Sequence, residues 1–507
     1  MAETNDTEHK LLPGARAFNK DVAPSFIDHA CLVNGYAPPP GSPLGEGMDA
    51  GFAYCELDCG SAVTETLLAA ANPLGDFHAI DARGELLDQG RALAKDGQAR
   101  NITFHHAGIE AALEKTLPGF DYIVVNNIYS WVPLRERALI LAFVRKFLKP
   151  GGALYLSYNA RPGWNRLDPF RRVFREATRG IKADPGQRLK AARDLYARLM
   201  EAKAPGISAT GLSADAFAAL GEIPLDALAA DYVNEFMDPL YVTDVMADFS
   251  AVDCVLTGSS SMAETLPVLM NHEPFKSALE KLPTLSGREL AKDLLLDTRY
   301  RRDVFVRGGR RLAGDNRDMV MNGLAFALER PAPDVRYSAA MAFGEMKFDN
   351  DHARAIVAAL ETAPRTLGEL VAQAQSANAD PQAVVSNLHA LLLGGQIRPV
   401  YRATPESAKG ARAMQAAVRA RAANAEAAIG FLPSPFGTAF LAPVADQMFM
   451  DLAQDRGAEA LAESAMQRLA GGNVTFVTKE AMTKRARAWR RNVRYFASLG
   501  LVPVMPA

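Results

Sequence analysis

The chain has 507 residues, 49% of them hydrophobic and 22% charged, with a formal net charge of −2. That length suits about three domains of roughly 150 residues, and the composition is that of a folded globular protein. The near-neutral balance excludes a global field for nucleic acid or an acidic membrane, and no apolar run reaches the roughly 20 residues of a membrane helix.

The polar opening, Met1 to Lys10, lacks signal- and transit-peptide patterning. Cys31, Cys55, Cys59 and Cys254 have no metal-ligand spacing and make no disulfide framework. The expectation is a cytoplasmic protein without membrane insertion.

The elements then follow in chain order. Tyr54-Cys55-Glu56-Leu57 is a strand, Val63 to Ala71 a helix ended by Asn72-Pro73, and Phe77 to Ile80 a second strand. Glu85 to Lys95 is a helix, Ile102-Thr103-Phe104 a third strand, and Phe120 to Val125 a fourth, apolar enough to be buried on both faces. Leu134 to Leu148 is a helix closed by Lys149-Pro150-Gly151-Gly152, and Ala153 to Tyr158 is a fifth strand. This alternation predicts a parallel, doubly wound α/β sheet whose ligand sits beyond the strands' carboxyl ends.

The loop after the first strand is Asp58-Cys59-Gly60-Ser61-Ala62, and Asp81 lies 21 positions after Gly60. A loop that meets a ligand, with an acid about 20 residues on for the ribose hydroxyls, is the pattern of a nucleotide-binding unit.

Glu56…Gly60, Ala70-Ala71-Asn72-Pro73, Ile80-Asp81, Phe120 to Val124, Ile128 to Val132 and Leu148 to Gly152 together resemble a class I S-adenosylmethionine-dependent methyltransferase. Tyr129-Ser130-Trp131-Val132 with Tyr158-Asn159-Ala160-Arg161-Pro162-Gly163-Trp164 is more specific. It resembles methyltransferases that carry a methyltransferase regulatory domain, among them rickettsial protein-lysine methyltransferases. Asn234-Glu235-Phe236, Pro239 to Val245 and Arg299 to Val306 resemble the regulatory segment.

The resemblance implies a Rossmann-like methyltransferase sheet and S-adenosylmethionine as cofactor. Glu56, Asp58 and Gly60 would lie at its methionine end, Asp81 at the ribose and Ala107 at the adenine. The chain departs from the pattern at Asp58 and Ala62, which stand for glycines, at Ala107, which stands for an acid, and at Ala82-Arg83-Gly84. The entry segment is reduced to Gly14-Ala15-Arg16-Ala17-Phe18. A Cβ at a left-handed position costs about 1–2 kcal/mol.

On the acceptor side, Asn126, Tyr129 and Trp131 follow the fourth strand, where this fold carries out methyl transfer. The aromatics either shape a channel for a cationic methyl group or pack in a core. Asn126 either offers a carbonyl to an amine or closes a polar turn. Tyr158, Asn159 and Trp164 are the expected substrate pocket and lid. His105-His106 lacks the nearby carboxylates of a metal site, and none is expected.

Gln187 to Asp248 reads as mainly helical, and Tyr300-Arg301-Arg302-Asp303 as a solvated or ion-paired run. From Thr366 a capping-box helix, a second helix opened by Asp380-Pro381 and the strand Gln396 to Tyr401 give a winged-helix order. Val384 to Leu391 has no Lys or Arg, so protein packing is expected there rather than sequence-specific nucleic-acid binding. Ala411 to Ala428 reads as a connector helix, and Lys479 to Arg494 as a cationic one.

The expected organisation is a methyltransferase-fold domain over 1–180, a helical linker and regulatory segment over 181–310, and a winged-helix-like region over 311–507. The expected function is S-adenosylmethionine-dependent methyl transfer to a protein amine, lysine above all. The alternative is an inactive relative serving as a binding or regulatory subunit. A homodimer or a heteromeric partner is left open.

Overall fold

The computed structural model describes residues 18–45, 51–179, 185–208, 232, 234, 236–260, 273–312, 314–341, 344–424, 427–452, 457–470 and 478–502. Seven strands form one sheet: β1 (Phe52–Leu57), β2 (Gly75–Asp81), β3 (Ile102–His106), β4 (Phe120–Val125), β5 (Leu148–Asn159), β6 (Cys254–Ser259) and β7 (Tyr300–Arg307). Their order is β3-β2-β1-β4-β5-β7-β6, with β1–β2 and β2–β3 parallel. Every residue of β1 and β4 is buried, the acids Glu56 and Asp121 included, as for mainly apolar strands covered on both faces. The chain leaves β1 for one neighbour, β2, and returns to the other side as β4. That reversal opens a crevice past the strands' carboxyl ends.

Helices join the strands where the sequence places them, at Val63–Ala71, Gly84–Asp96 and Leu134–Phe147. Lys149-Pro150-Gly151-Gly152 differs from expectation, because it belongs to β5 rather than to a helix stop. Proline's fixed φ suits extended chain, and Gly151 takes φ +78°.

The chain divides into two compact units. The first comprises residues 1–124, 147–154 and 306–507. Phe52 packs edge-on against Phe77 and Tyr122, with ring centroids 5.7 and 5.3 Å apart. Buried Asp28 accepts hydroxyls from Ser42, Tyr122 and Tyr401. Burial pushes its pKa up to about 6 against those three bonds.

The capping box is present, with Thr366 and Glu369 each bonding the other's backbone N–H. Asp380 caps the helix Pro381–Leu393, and Ile397–Val400 follows. The strand Ala325–Leu328, which the sequence pattern had not singled out, completes this sheet between Arg365–Thr366 and Ile397–Val400. The connector helix runs over Pro405–Ala420 rather than 411–428. Thr404 caps it and Pro405 opens it, and both lie upstream of the alanine-rich stretch. The cationic helix spans Lys479–Ser498, with Trp489 buried and Arg485 on the Asp446 carboxylate at 2.6 Å.

The second unit comprises residues 125–146 and 155–305. Trp164, Leu167, Phe170, Phe174, Tyr196 and Tyr232 form an aromatic core under the helices Asp168–Thr178 and Pro185–Glu201. Within the run at Tyr300, Arg301 and Asp303 are buried and ion-paired, while Tyr300 and Arg302 are partly exposed. Arg301 is 1% exposed and meets Glu289, Asp293 and Asp303 at 2.7–2.9 Å. One guanidinium with five donors bonds three carboxylates, which offsets the cost of burying its charge. Within the expected helical stretch, residues 209–231 lie outside the described residues, as do Gly14 to Ala17 of the entry segment and Glu235.

Candidate active site

The first unit carries the residues expected at the cofactor. Asp58, Gly60 and Ala62 take φ values of 54°, 63° and 53°. The loop therefore keeps a glycine-like path even where glycine is absent. Its conformation is set by what surrounds it: Cys59 N–H donates to the Ile80 carbonyl at 3.2 Å, and Gly60 N–H donates to Asp81 Oδ2 at 2.7 Å. Ala62 is fully buried beside Ala79 and Leu87, so its methyl group contributes packing that offsets part of the left-handed strain. A Cβ placed on Gly60 would meet nothing within 4 Å, so the loop faces open space at its middle.

Asp81 ends β2 with its side chain fully buried. Burial alone would raise its pKa. Hydrogen bonds from the Arg83 side chain and from the Arg83 and Gly60 backbones outweigh this and hold it below the ordinary value. Ala107, 8% exposed, donates its N–H to the Asp81 carbonyl at 3.0 Å. No side-chain acid stands at its position, so an adenine amine would find only backbone there.

Glu56 is buried on β1 beneath the loop. Burial, then the charge of Glu65 and a hydrogen bond to it, push its pKa well up, and burial likewise raises that of Glu65. Two touching buried carboxyls oppose each other's ionisation. Glu65 Oε2 has no hydrogen-bond partner. A cationic group at this end of the loop would offset the repulsion between the two carboxyls. Glu65 was missed in the sequence, although a lone acid inside the apolar helix Val63–Ala71 was a legible signal.

The second unit carries the residues expected on the acceptor side. Asn126 Oδ1 accepts from Ser157 Oγ at 2.8 Å, and Ser157 Oγ accepts from Asn127 N–H at 2.9 Å. Tyr129 is fully buried, donates its hydroxyl to Asp248 Oδ2 at 2.8 Å and stacks against Phe249. Burial and then the Asp248 charge push its pKa upward. Tyr158 is equally buried and donates to Asp303 at 2.7 Å. Asn159 accepts at its carbonyl from Leu240 N–H at 2.9 Å, and Trp164 is 5% exposed in the aromatic core. Trp131 is half-buried against that same core, and its carbonyl accepts from Asn234 at 3.2 Å.

The loop Asn127 to Trp131 is thus held at four positions. Tyr300 donates to Asn127, Asp248 takes the Tyr129 hydroxyl, Asp238 N–H donates to the Ser130 carbonyl at 2.8 Å, and Asn234 Nδ2 donates to the Trp131 carbonyl. Asp248 lies 119 positions from Tyr129, and no local pattern announces such a partner.

His105 Nε2 lies 2.9 Å from His78 Nδ1. It stacks on His78 with ring centroids 5.1 Å apart, and burial first, then the His78 charge, lower its pKa to about 4. His106 Nε2 lies 3.0 Å from the Ala82 carbonyl.

Residues 55–154 match a family model described as a methyltransferase domain, and residues 225–307 one described as a predicted methyltransferase regulatory domain. An uncharacterized protein of Synechocystis sp. is 28% identical over 412 residues, covering 81% of this chain and 81% of that one. An uncharacterized protein of Rickettsia prowazekii is 29% identical over 118 residues, 23% of this chain and 47% of its own length. Among solved structures, PKMT2 from Rickettsia typhi shares the fold at a TM-score of 0.67 and 14% identity, over 97% of this chain and 99% of that one. PKMT2 is also known in complex with AdoHcy, at the same TM-score and coverage.

Proposed function

We propose that this chain, an S-adenosylmethionine-dependent methyltransferase whose methyltransferase domain is followed by a methyltransferase regulatory domain, methylates an amine of a protein substrate, with lysine as the acceptor. The observation that carries the reading is the 58–62 loop, which holds three consecutive alternate residues in left-handed backbone under open space at Gly60. A loop built for close approach of a ligand keeps that path only where something stabilises it.

Bound S-adenosylmethionine supplies a methyl group already activated by its sulfonium. The rest of the chemistry belongs to the chain. Asp81, an ionised carboxylate, accepts the ribose hydroxyls, and the Glu56–Glu65 pair receives the ammonium at the methionine end. Asn126 lies on the loop where the acceptor enters, and its amide orients the amine. Tyr129, Trp131, Tyr158, Asn159 and Trp164 form the walls behind that loop, so their part is to hold its shape and exclude water. With the methyl group already activated, no protein nucleophile would be needed, and the chain's part would be to align the acceptor amine. The acceptor lysine reacts only as the neutral amine, and a desolvated entrance lowers its pKa. The lysine assignment rests on the resemblance to rickettsial protein-lysine methyltransferases.

The test is transfer of radiolabelled methyl from S-adenosylmethionine to poly-L-lysine and to unfolded casein, followed by acid hydrolysis and chromatography. Methyllysine is the expected product. Label recovered only on another residue type overturns the acceptor. No label with S-adenosylhomocysteine nonetheless bound would favour the non-catalytic subunit.

A further inference from the structure

We infer that Arg83 is a displaceable plug on the ribose acid, set there by this chain's own departures from the loop pattern, and that it tunes cofactor affinity. The inference rests on the reading of Asp81 as the ribose acid. A carboxylate offers about four lone-pair sites. All four on Asp81 are in use. Oδ1 takes Arg83 N–H at 2.8 Å and Arg83 Nε at 2.9 Å. Oδ2 takes Gly60 N–H at 2.7 Å and Arg83 Nη2 at 2.9 Å. Two ribose hydroxyls each need an acceptor, so the guanidinium must give up its two bonds before they can bind. The two backbone bonds can stay, because they come from the chain on which Asp81 is mounted.

Asp58 supplies the place for the guanidinium to go. Arg83 Nη2 already lies 3.2 Å from Asp58 Oδ1, and both side chains are about half exposed, 50% and 41%. Swinging off Asp81 therefore keeps Arg83 on a carboxylate. Asp58 stands where the family pattern has glycine, and Arg83 stands in the stretch that replaces an apolar run. Each residue alone is a charge beside the cofactor site. Together they neutralise one another and form a plug with a resting position. The plug has to be displaced only by a ligand that offers hydroxyls to Asp81, so it lowers the affinity for the whole cofactor and leaves molecules that carry only the methionine end unaffected.

Isothermal titration of the purified full chain with S-adenosylhomocysteine tests this. Arg83→Ala is expected to bind about three- to tenfold tighter than the native chain, the equivalent of one charge-assisted contact no longer displaced. Arg83→Lys, which cannot make the two-pronged contact, should fall between. The gap between native chain and Arg83→Ala should narrow in high salt, because a half-exposed ion pair is screened. Methionine alone should show no such gap. Equal or weaker binding by Arg83→Ala, with circular dichroism unchanged, overturns the plug. Asp81→Ala separates the two ideas. If it binds as well as the native chain, the ribose assignment fails. If it loses binding while Arg83→Ala equals the native chain, the plug alone fails.

Discussion

At the scale of single residues, the 58–62 loop shows how far a pattern can be altered without losing its backbone. Asp58 and Ala62 adopt φ near +50° although each carries a Cβ, at about 1–2 kcal/mol apiece. For Ala62 the buried methyl returns about 0.8 kcal/mol, and glycine would add unfolded-state entropy of about 0.5–1 kcal/mol. Ala62→Gly is therefore expected to change stability by less than about 1 kcal/mol in urea unfolding. Asp81 is different, because its carboxylate ties β2 to the loop. Asp81→Ala should abolish the rise in melting temperature that S-adenosylhomocysteine produces in the native chain by mass action; an undiminished rise would remove Asp81 from the site. A third residue gives a pH signature. Burial would raise Glu329, but the Arg398 guanidinium and the Lys20 ammonium outweigh it and hold its pKa at about 2. The folded value is depressed, so the stabilisation is present above the unfolded value near 4.5 and lost as pH falls towards 2. Glu329→Gln should cost about 3 kcal/mol at neutral pH and less than half of that by about pH 3, because acid turns the native glutamate into a neutral side chain too.

At the scale of elements, the helices and strands of the methyltransferase sheet were readable because each has the period, cap or breaker that physics asks for. The capping box at Thr366–Glu369 and the proline at Pro381 appear where their spacing put them. Thr366→Ala should cost about 1 kcal/mol. The partners of the acceptor loop were not readable, for a physical reason. Asn127, Tyr129, Ser130 and Trp131 are bound by residues 103 to 173 positions away, and such contacts leave no trace in a local pattern. The same holds for Arg301, whose charged neighbours suggest solvent until the fold buries it among three carboxylates. The grip on the loop has a consequence for the enzyme. Asp248 lies in the stretch matching the regulatory domain and leaves the Tyr129 hydroxyl without an acceptor if removed. Asp248→Ala should lower methyl transfer about tenfold or more while leaving S-adenosylhomocysteine affinity within about twofold, since a hydrogen bond to a charged group contributes about 1.5–3 kcal/mol. Equal losses in transfer and in cofactor binding would instead mark Asp248 as part of general stability.

At the scale of the whole molecule, charge is nearly balanced at −2, yet one helix concentrates cations. Along Lys479–Ser498, Lys484, Arg487, Arg490, Arg491 and Arg494 are exposed. Two arginines of the helix are already engaged, Arg485 by Asp446 and Arg487 by Glu459 at 2.7 Å. The exposed Arg487–Glu459 pair is screened and weak, so a phosphate can replace the carboxylate. The helix Pro381–Leu393, which occupies the recognition position of a winged-helix order, has neither Lys nor Arg to read base edges. Electrostatics without base contacts gives binding that ignores sequence. Fluorescence anisotropy with two unrelated DNA duplexes of equal length should therefore give equal, weak affinities. Their logarithm should fall linearly with that of salt, with a slope of about −3 for three or four phosphates neutralised. Alanine at Arg487, Arg490 and Arg491 together should flatten the slope towards zero, because those three side chains are what release counterions. A duplex preferred over the other, with affinity that survives high salt, would mean that base edges are read by residues this argument does not include, and the C-terminal region would then be a sequence-specific DNA-binding module.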